Sequence, residues 1–186
     1  MRKLISAINI SLDGFADHTV AIADDELHDF ATAQLDSIGM VLFGRVTYQL
    51  FESYWPHAQD DPAATPSELA YARKINAIPK VVFSRTLRQA DWNNTRLVKG
   101  DLVQEVTKLK QETGKDLSVG GLRLIQALTQ AALIDEYWLL VQPLLVGKGR
   151  PYWDGLEGQI NLQLLGTQTF RSGVVVLHYL RERGPA

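Results

Sequence analysis

Short apolar runs recur along this chain at regular intervals. They predict strands, because a strand inside a covered sheet buries side chains on both of its faces. The predicted strands cover residues 3–13, 40–43, 80–83, 117–119 and 135–146. Two further runs, 160–170 and 173–180, are joined through Arg171 and Ser172 and predict an antiparallel hairpin.

The segments between these runs carry apolar residues at spacings of three and four, which predicts helices. These helices are expected at 24–38, at 44–55, from Thr65 onward, from about Asp101 to before Gly114, and from the glycine pair 120–121 to about Leu133. Thr65 is a predicted N-cap, with Pro66 at the first helical position and Glu68 closing a capping box. Residues 56–66 are predicted to form a loop.

Strands and helices therefore alternate, which is the pattern of an α/β fold. A chain of 186 residues fits a single domain, here residues 1–186. We expect a three-layer αβα architecture with a mostly parallel central sheet and an antiparallel C-terminal hairpin. In open sheets of this kind, ligands bind at the carboxyl ends of the strands.

Composition and charge exclude several classes of protein. The formal net charge is −2 with interspersed signs, which gives no basic surface for nucleic acid. No apolar run reaches the roughly 18 residues of a membrane span. The absence of cysteine excludes disulfides, thiolate metal sites and a catalytic thiol, and it fits a cytoplasmic protein. The four histidines lack metal-ligand spacing, so no metal is expected; they are His18, His28, His57 and His178.

Three predicted strand-to-helix junctions carry residues suited to anions, in the segments "FGRVT" (43–47), "FSRT" (83–86) and "VGGLR" (119–123). A helix N-terminus offers unpaired amide donors and partial positive charge. The residues concerned are Gly44, Arg45 and Thr47, then Ser84, Arg85 and Thr86, and finally Gly120 with Gly121. Each junction alone is better explained as a tight turn with a capping residue, so the inference rests on their order and coincidence.

Three separated anion sites fit a dinucleotide better than one compact anion. The sequence contains neither the G-x-G-x-x-G spacing of a Rossmann NAD site nor a Walker A loop. Arginine and hydroxyl side chains at two junctions favour a ligand with a 2′-phosphate. The predicted cofactor is therefore NADPH rather than NADH.

Four stretches in this order resemble the dihydrofolate reductase-like superfamily: "SLDGFA", "LFGRVTYQLF", "KVVFSRT" and "VGGLRLIQALTQAALIDEYWLLVQPLLVGKG". The similarity is greatest to the reductase domain of the bifunctional riboflavin-biosynthesis deaminase–reductase. It implies an NADPH-dependent reductase that transfers hydride to a small pyrimidine- or pterin-like heterocycle, as 5-amino-6-(5-phosphoribosylamino)uracil reductase does. Dihydrofolate reduction, or a non-catalytic module that binds NADPH or a pterin, is the alternative.

The resemblance also implies a set of cofactor-binding residues. Those expected beside the nicotinamide are Asn9 and Ala16. Those expected on the adenosine side and under the pyrophosphate are Gly44, Arg45, Thr47, Ser84, Arg85, Gly120, Gly121, Leu122, Arg123 and Leu124. In dihydrofolate reductases the glycine pair is joined by a cis peptide, so a cis bond is expected between Gly120 and Gly121.

The acid that would assist protonation is less well defined. Dihydrofolate reductases place it early in the helix after the first strand, where several carboxylates crowd together here: Asp24, Asp25, Glu26 and Asp29. Asp25 and Asp13 are the candidate catalytic residues, with a helix-opening turn and a turn-forming role as their alternatives. Riboflavin reductases typically carry Glu before the glycine pair, whereas this chain has Val119. The Val- and Leu-rich hairpin is also a candidate homodimer interface.

Overall fold

A computed structural model describes residues 1–16, 19 and 21–182, so His18 lies outside the described residues. The strands are β1 Leu4–Ser11, β2 Ile38–Gly44, β3 Lys80–Phe83, β4 Thr95–Val98, β5 Asp116–Gly120, β6 Glu136–Gln142, β7 Leu162–Thr169 and β8 Val175–Arg181. The helices are α1 Asp25–Gln34, α2 Arg45–Glu52, α3 Pro66–Ala77, α4 Leu102–Gln111 and α5 Leu122–Gln130.

The eight strands form one sheet in the order β4-β3-β2-β5-β1-β6-β8-β7. The first six strands of that order are parallel, and β8 and β7 complete the sheet as antiparallel neighbours. The predicted α/β class, the mostly parallel sheet and the C-terminal hairpin are therefore confirmed. Strand β4 was not predicted, because "TRLV" is short and only partly buried.

The helices cover both faces of the sheet. Strand β1 shows the division, since Leu4 and Ile10 belong to the core under α4 and α5 whereas Ile5 belongs to the core under α2 and α3. A third cluster packs α1 against β6 and the hairpin through Leu27 and Phe30. Odd-numbered β1 positions therefore face the α1 side of the sheet.

The structure differs from the sequence prediction in two connecting segments, residues 56–66 and the segment after β3. Residues 56–66 are not simply a loop, because a 3₁₀ helix covers Trp55–Asp60. The ring of Trp55 packs against the ring of Tyr71 in α3. No helix follows β3: residues 84–94 form an irregular connection that leads directly into β4. Apolar residues in that connection, Leu87 and Trp92, pack into the core and hold it against the sheet.

Candidate active site at the carboxyl end of the sheet

Strands β1 and β5 separate in the middle of the sheet. Their ladder ends at Ser6 opposite Val119, whereas β1 stays paired with β6 as far as Ser11 opposite Gln142. Beyond that point β5 turns into α5, so β1 has no ladder partner on its β5 side. We call this opening the strand gap. It is a cleft at the carboxyl end of a parallel sheet, where ligands of α/β proteins bind.

The side chains along β1 mark the open side of the strand gap. Ala7 is exposed although it lies in a central strand, and Asn9 is only partly buried. Both are odd-numbered and so face the α1 side of the sheet. An exposed position in the interior of a sheet is unusual in a strand otherwise buried, and it locates the entrance to the strand gap.

The N-termini of the five α-helices in the described part of the chain fall into two groups. Three are satisfied by side chains: Asp24 accepts from the amide of Leu27, Thr65 from that of Glu68, and Asp101 from that of Gln104. Each of these helices also carries an acidic residue in its first turn.

Helices α2 and α5 form the second group. Their N-caps are Gly44 and Gly121, neither gives a side-chain cap, and neither first turn contains an acid. Instead, Arg45 and Arg123 lie in those first turns. The first-turn amides have no partner within the helix, so both helices present open donors and a guanidinium at the carboxyl end of the sheet. This is the arrangement of an anion site.

These two helix starts lie side by side. Phe43 of β2 is the ladder partner of Gly120, and Gly44 is the partner of Phe83. The predicted segment 83–86 is therefore next to the segment 43–47. The structure thus brings the three sequence segments to neighbouring strand ends.

The close approach of α2 explains the glycine pair. Gly121 has φ of +110°, and a Cβ there would lie 2.9 Å from the Oγ1 of Thr47. A Cβ on Gly120 would lie 3.3 Å from the ring of Phe43. Neither position accepts a larger residue without movement. The expectation of a cis peptide is wrong, because the bond between Gly120 and Gly121 is trans.

Arg45 and Thr47 lie on α2 at the edge of this site. Arg45 is exposed, and its Nη1 donates to Gln49 Oε1 of the same helix at 2.9 Å. Tyr48 fixes the helix from the other side: it donates to Glu52 and accepts from the amide of Trp92 at 3.0 Å. Burial, with the hydrogen bond to Glu52, raises the pKa of Tyr48 to about 12, so it stays protonated and holds α2 to the 84–94 connection.

Ser84 makes a different junction from the one expected. Its Oγ accepts from the amides of Thr86 at 3.2 Å and Leu87 at 3.0 Å, which closes a serine turn. Since no helix follows, the anion-site argument from a helix N-terminus does not apply here. Arg85 remains exposed beside the turn, so its guanidinium is what this segment offers a ligand.

Five cations at this end of the sheet lack acidic partners. Among the described residues no carboxylate lies within ion-pair distance of Arg45, Arg85 or Arg123. The same holds for Lys148 and Arg150 in the loop after β6. Unpaired arginines around open amides give the site a positive potential that favours a phosphorylated ligand.

The remaining predicted cofactor residues differ in what they can contribute. Leu122 and Leu124 pack into the core, so only their backbone amides are open to a ligand. Ala16 also packs against the core, and its amide donates to the carbonyl of Arg150 at 2.9 Å. It therefore joins the 12–16 loop to the loop after β6. Asn9 faces the strand gap.

Asp13 holds those two loops together. Its carboxylate accepts from Ser11 Oγ at 2.6 Å and from the amides of Val146 and Gly147. The hydrogen bond from Ser11, with those from the two amides, holds the pKa of Asp13 below its ordinary value. An ionised, fully engaged carboxylate is a poor proton donor, so these contacts favour a positioning role for Asp13 over a catalytic one.

Each carboxylate at the start of α1 also has a structural contact. Asp24 caps the helix, Asp25 accepts from Thr65 Oγ1 at 2.6 Å, and Glu26 accepts from the amide of Arg171 at 2.8 Å. Asp25 thus joins the N-termini of α1 and α3, and it remains exposed. Val119, at the position where riboflavin reductases carry Glu, is buried in the core.

Gln142 is a residue of this site that the sequence did not indicate. This residue ends β6 and is 1% exposed. Its side-chain amide donates to Asn9 Oδ1 and accepts from the backbone N–H of Ile22. A polar amide closing an apolar strand is the signal that could have identified it, because a buried amide needs partners.

Two cavities lie away from this site. One of about 370 Å³ lies near the amino end of β6, beside Lys110 and Asp135, and one of about 740 Å³ lies between α3 and the 84–94 connection. Within the described residues no group of three or more potential ligand side chains could hold a metal ion. No helix in the described part of the chain is long and apolar enough to cross a bilayer.

Comparison with known sequences gives the family. Residues 2–176 match the model of the RibD C-terminal domain. The uncharacterized protein YyaP of Bacillus subtilis is 33% identical over an alignment of 186 positions, which covers 96% of this chain and 94% of that protein. The uncharacterized protein YwjB of the same organism is 36% identical over 75 residues, 40% of this chain and 42% of that protein.

Solved structures share the fold. A putative riboflavin biosynthesis protein from a Shewanella species superimposes with a TM-score of 0.74 at 22% identity, covering 98% of this chain and all of that one. RibD from Acinetobacter baumannii superimposes with a TM-score of 0.69 at 17% identity, covering 98% of this chain and 59% of the longer one. With the family match over nearly its whole length, this chain belongs to the RibD C-terminal domain family and has the fold of its reductases.

Proposed function

We propose that this chain is an NADPH-dependent reductase that transfers hydride to a small pyrimidine- or pterin-like heterocycle. The observation that carries the proposal is the pair of glycine-led, acid-free helix starts beside unpaired arginines, next to a gap in the middle of the sheet. A cofactor with separated phosphates and a flat ring matches that arrangement. Membership of the RibD C-terminal domain family supports the same assignment.

The proposed contacts follow the strand order. Arg45 and Arg85 would hold the 2′-phosphate side, and the amides at the start of α5, with Arg123, would hold the pyrophosphate. Each charge-assisted hydrogen bond is worth about 1.5–3 kcal/mol. The 2′-phosphate is the group that separates NADPH from NADH, so two such contacts would produce a strong preference for NADPH.

The nicotinamide ring is proposed to enter the strand gap, between Ala7 and Asn9 on one side and Gly120 on the other. NADPH supplies the hydride, and the chain orients the reacting carbon and excludes water. Ala7 leaves room for a flat ring against β1, while the loops held by Asp13 close one side of the cleft. Asp25 is proposed to assist protonation, directly or through a water molecule.

Ligand-dependent melting tests the cofactor assignment. A ligand at about 100 times its Kd raises the free energy of unfolding by roughly 2.7 kcal/mol. We expect NADPH to raise the melting temperature at concentrations at which NADH does not. Equal shifts would refute the 2′-phosphate contacts, and no shift with either nucleotide would refute the proposal as a whole.

Turnover assays test the reaction itself. NADPH oxidation should be followed with a panel of pyrimidine and pterin acceptors. Dihydrofolate belongs to that panel because dihydrofolate reduction is the nearest alternative. NADPH oxidation with dihydrofolate and with no other acceptor of the panel would show that the chain is a dihydrofolate reductase.

A non-catalytic binding module is the second candidate. It is favoured by one observation: the carboxylates of Asp13, Asp24, Asp25 and Glu26 all have structural hydrogen bonds. Tight NADPH binding without oxidation by any acceptor of the panel would support this candidate over the reductase.

A homodimer through the C-terminal hairpin is a further proposal. Strand β7 is an edge strand, and its Leu164 and Leu165 are 50% and 47% exposed. An exposed apolar edge favours pairing with a second copy. Sedimentation as a dimer that becomes a monomer on Leu164→Lys would support this interface, and a monomeric parent protein would refute it.

A further inference from the structure

We propose that Gln142 is a positioning residue that makes Asn9 a hydrogen-bond donor to a carbonyl oxygen of the ligand in the strand gap. This inference rests on the proposed function, because it assigns a role to the same site.

The orientation of the Gln142 amide is fixed by the backbone. Its Oε1 accepts from the amide of Ile22 at 2.9 Å. A backbone N–H can only donate, so the oxygen end of the Gln142 amide must face Ile22. The NH₂ end must then face Asn9, where Nε2 lies 2.9 Å from Oδ1. Exchanging the two ends would set donor against donor at Ile22.

The orientation of Asn9 follows in turn. Because Gln142 donates to it, Asn9 must turn its oxygen toward β6 and its Nδ2 away from β6. Within the described residues Nδ2 has no hydrogen-bond partner, and it is not among the buried unpaired atoms. Asn9 lies on the open face of β1, so its NH₂ group faces the strand gap.

A fixed NH₂ group selects the chemistry of its partner. It can donate to a carbonyl oxygen, but it cannot accept from an N–H. Two proposed occupants of the strand gap carry such an oxygen: the carboxamide of nicotinamide and a carbonyl of a pyrimidine ring. The test must therefore separate these two sources.

Gln142 also connects the two sides of the cleft. Ile22 lies just before the first turn of α1, where Asp25 is located, and its side chain packs in the cluster under α1. Gln142 therefore fixes the entry to α1 and the donor on β1 through one buried amide.

Two variants reverse the donor. Asn9→Asp keeps an acceptor for Gln142 but presents a carboxylate oxygen to the strand gap. Gln142→Glu, studied at pH 8 to ionise the new carboxylate, can still accept from Ile22 but would turn the NH₂ of Asn9 toward itself. Gln163→Glu on the exposed strand β7 is the matched control for the added charge.

Binding of NADP⁺ and thio-NADP⁺ tests the carboxamide as the source, since sulfur is a weaker acceptor than oxygen. The parent protein should prefer NADP⁺ by about fivefold, the worth of one neutral hydrogen bond. This preference should disappear in both variants and persist in the control. If it persists in the variants, binding of 5,6-diaminouracil to the NADP⁺ complex should weaken instead, which identifies the substrate carbonyl as the partner.

Hydrogen exchange of the side-chain amides gives a readout without ligand. In the parent protein the NH₂ protons of Gln142 should be protected and those of Asn9 should exchange rapidly; in Gln142→Glu those of Asn9 should become protected. Rapid exchange at Gln142, or unchanged affinity for all three ligands in both variants, would overturn the inference. If the parent protein fails to bind NADP⁺, the proposed function falls, while the exchange pattern still decides the orientation of Asn9.

Discussion

The two ends of the central sheet differ in whether their cationic side chains have partners within the fold. At the amino end, Lys3 pairs with Glu136, Lys74 with Asp36 and Lys110 with Asp135. Lys80, which is buried there, donates to three backbone carbonyls. At the carboxyl end, Arg45, Arg85 and Arg123 have no carboxylate partner among the described residues. These cations of the amino end are engaged within the fold, whereas the three arginines of the carboxyl end are available to a ligand.

The helix N-termini repeat this difference within the carboxyl end. Helices α1, α3 and α4 are capped by their own side chains, and α2 and α5 begin at glycines without a cap. A cap is worth about 1 kcal/mol, and two of five helices forgo it. The uncapped helices are those beside the strand gap, which is where a ligand would replace the cap.

The largest effect is expected from removing two unpaired arginines. Arg45→Ala combined with Arg85→Ala should raise the Kd for NADPH about 100-fold or more, since two charge-assisted contacts are lost. The free energy of unfolding without ligand should hardly change. Arg73→Ala, an exposed arginine beside the cavity at α3, is the matched control and should alter neither quantity. Titration by fluorescence measures the Kd, and an unchanged value in the double variant contradicts the comparison.

The second prediction compares alanine substitutions at the two glycine N-caps. Gly121→Ala should destabilise the protein by about 2 kcal/mol, because its φ of +110° and the contact with Thr47 both oppose a Cβ. Gly44→Ala should change stability by less than about 0.5 kcal/mol, since no atom lies within 4 Å of its Cβ position. It should nevertheless weaken NADPH binding if a phosphate approaches that backbone. Denaturant unfolding and binding titrations of both variants test this pair.

The third effect concerns a helix start with a side-chain cap. Thr65→Ala should cost about 1 kcal/mol, because it removes the acceptor for the amide of Glu68. It should leave the Kd for NADPH unchanged, since this cap lies on α3 rather than beside the strand gap. Urea unfolding measures the cost. If Thr65→Ala weakened NADPH binding as much as the double arginine variant does, the capped and uncapped helices would not differ in their role in binding.

The smallest effect is a pH dependence at the amino end of the sheet. Burial raises the pKa of Glu136, but hydrogen bonds from Lys3 and His178 outweigh it, so the pKa lies below its ordinary value. A lowered pKa contributes stability that is present above the unfolded value, near 4.3, and is lost as the pH falls further. Unfolding curves between pH 6 and pH 3 should therefore show a steeper loss in the parent protein than in Glu136→Gln. Equal slopes in the two proteins would show that ionised Glu136, with its bonds from Lys3 and His178, contributes nothing to the free energy of unfolding.

Most of the fold could be predicted from periodicity, because its strands are apolar and its helices have clear starts. The capping box at Thr65 and the strand 80–83 are confirmed as written. Strand β4 could not be predicted, since four residues with one exposed and three partly buried positions do not show a period. The helix expected after Phe83 is absent because Leu87 and Trp92 pack into the core against the sheet, and the chain then enters β4 directly.

The candidate site was predictable at its two glycine-led helix starts and not in its polar centre. Glycines and arginines after apolar strands are a local signal. The strand gap is not local, because it depends on where the β1–β5 ladder ends. The contacts of Asp13, Asp25 and Gln142 join residues 40 to 134 positions apart. No sequence pattern contains such pairs, so their roles emerge only from the fold.

A crystal structure of this chain with NADPH tests the central claim most directly. The account predicts the 2′-phosphate at Arg45 and Arg85, the pyrophosphate at the amides that begin α5, and the nicotinamide in the strand gap beside Asn9. A cofactor bound in either of the two cavities, or a strand gap that stays empty at saturating NADPH, would contradict it.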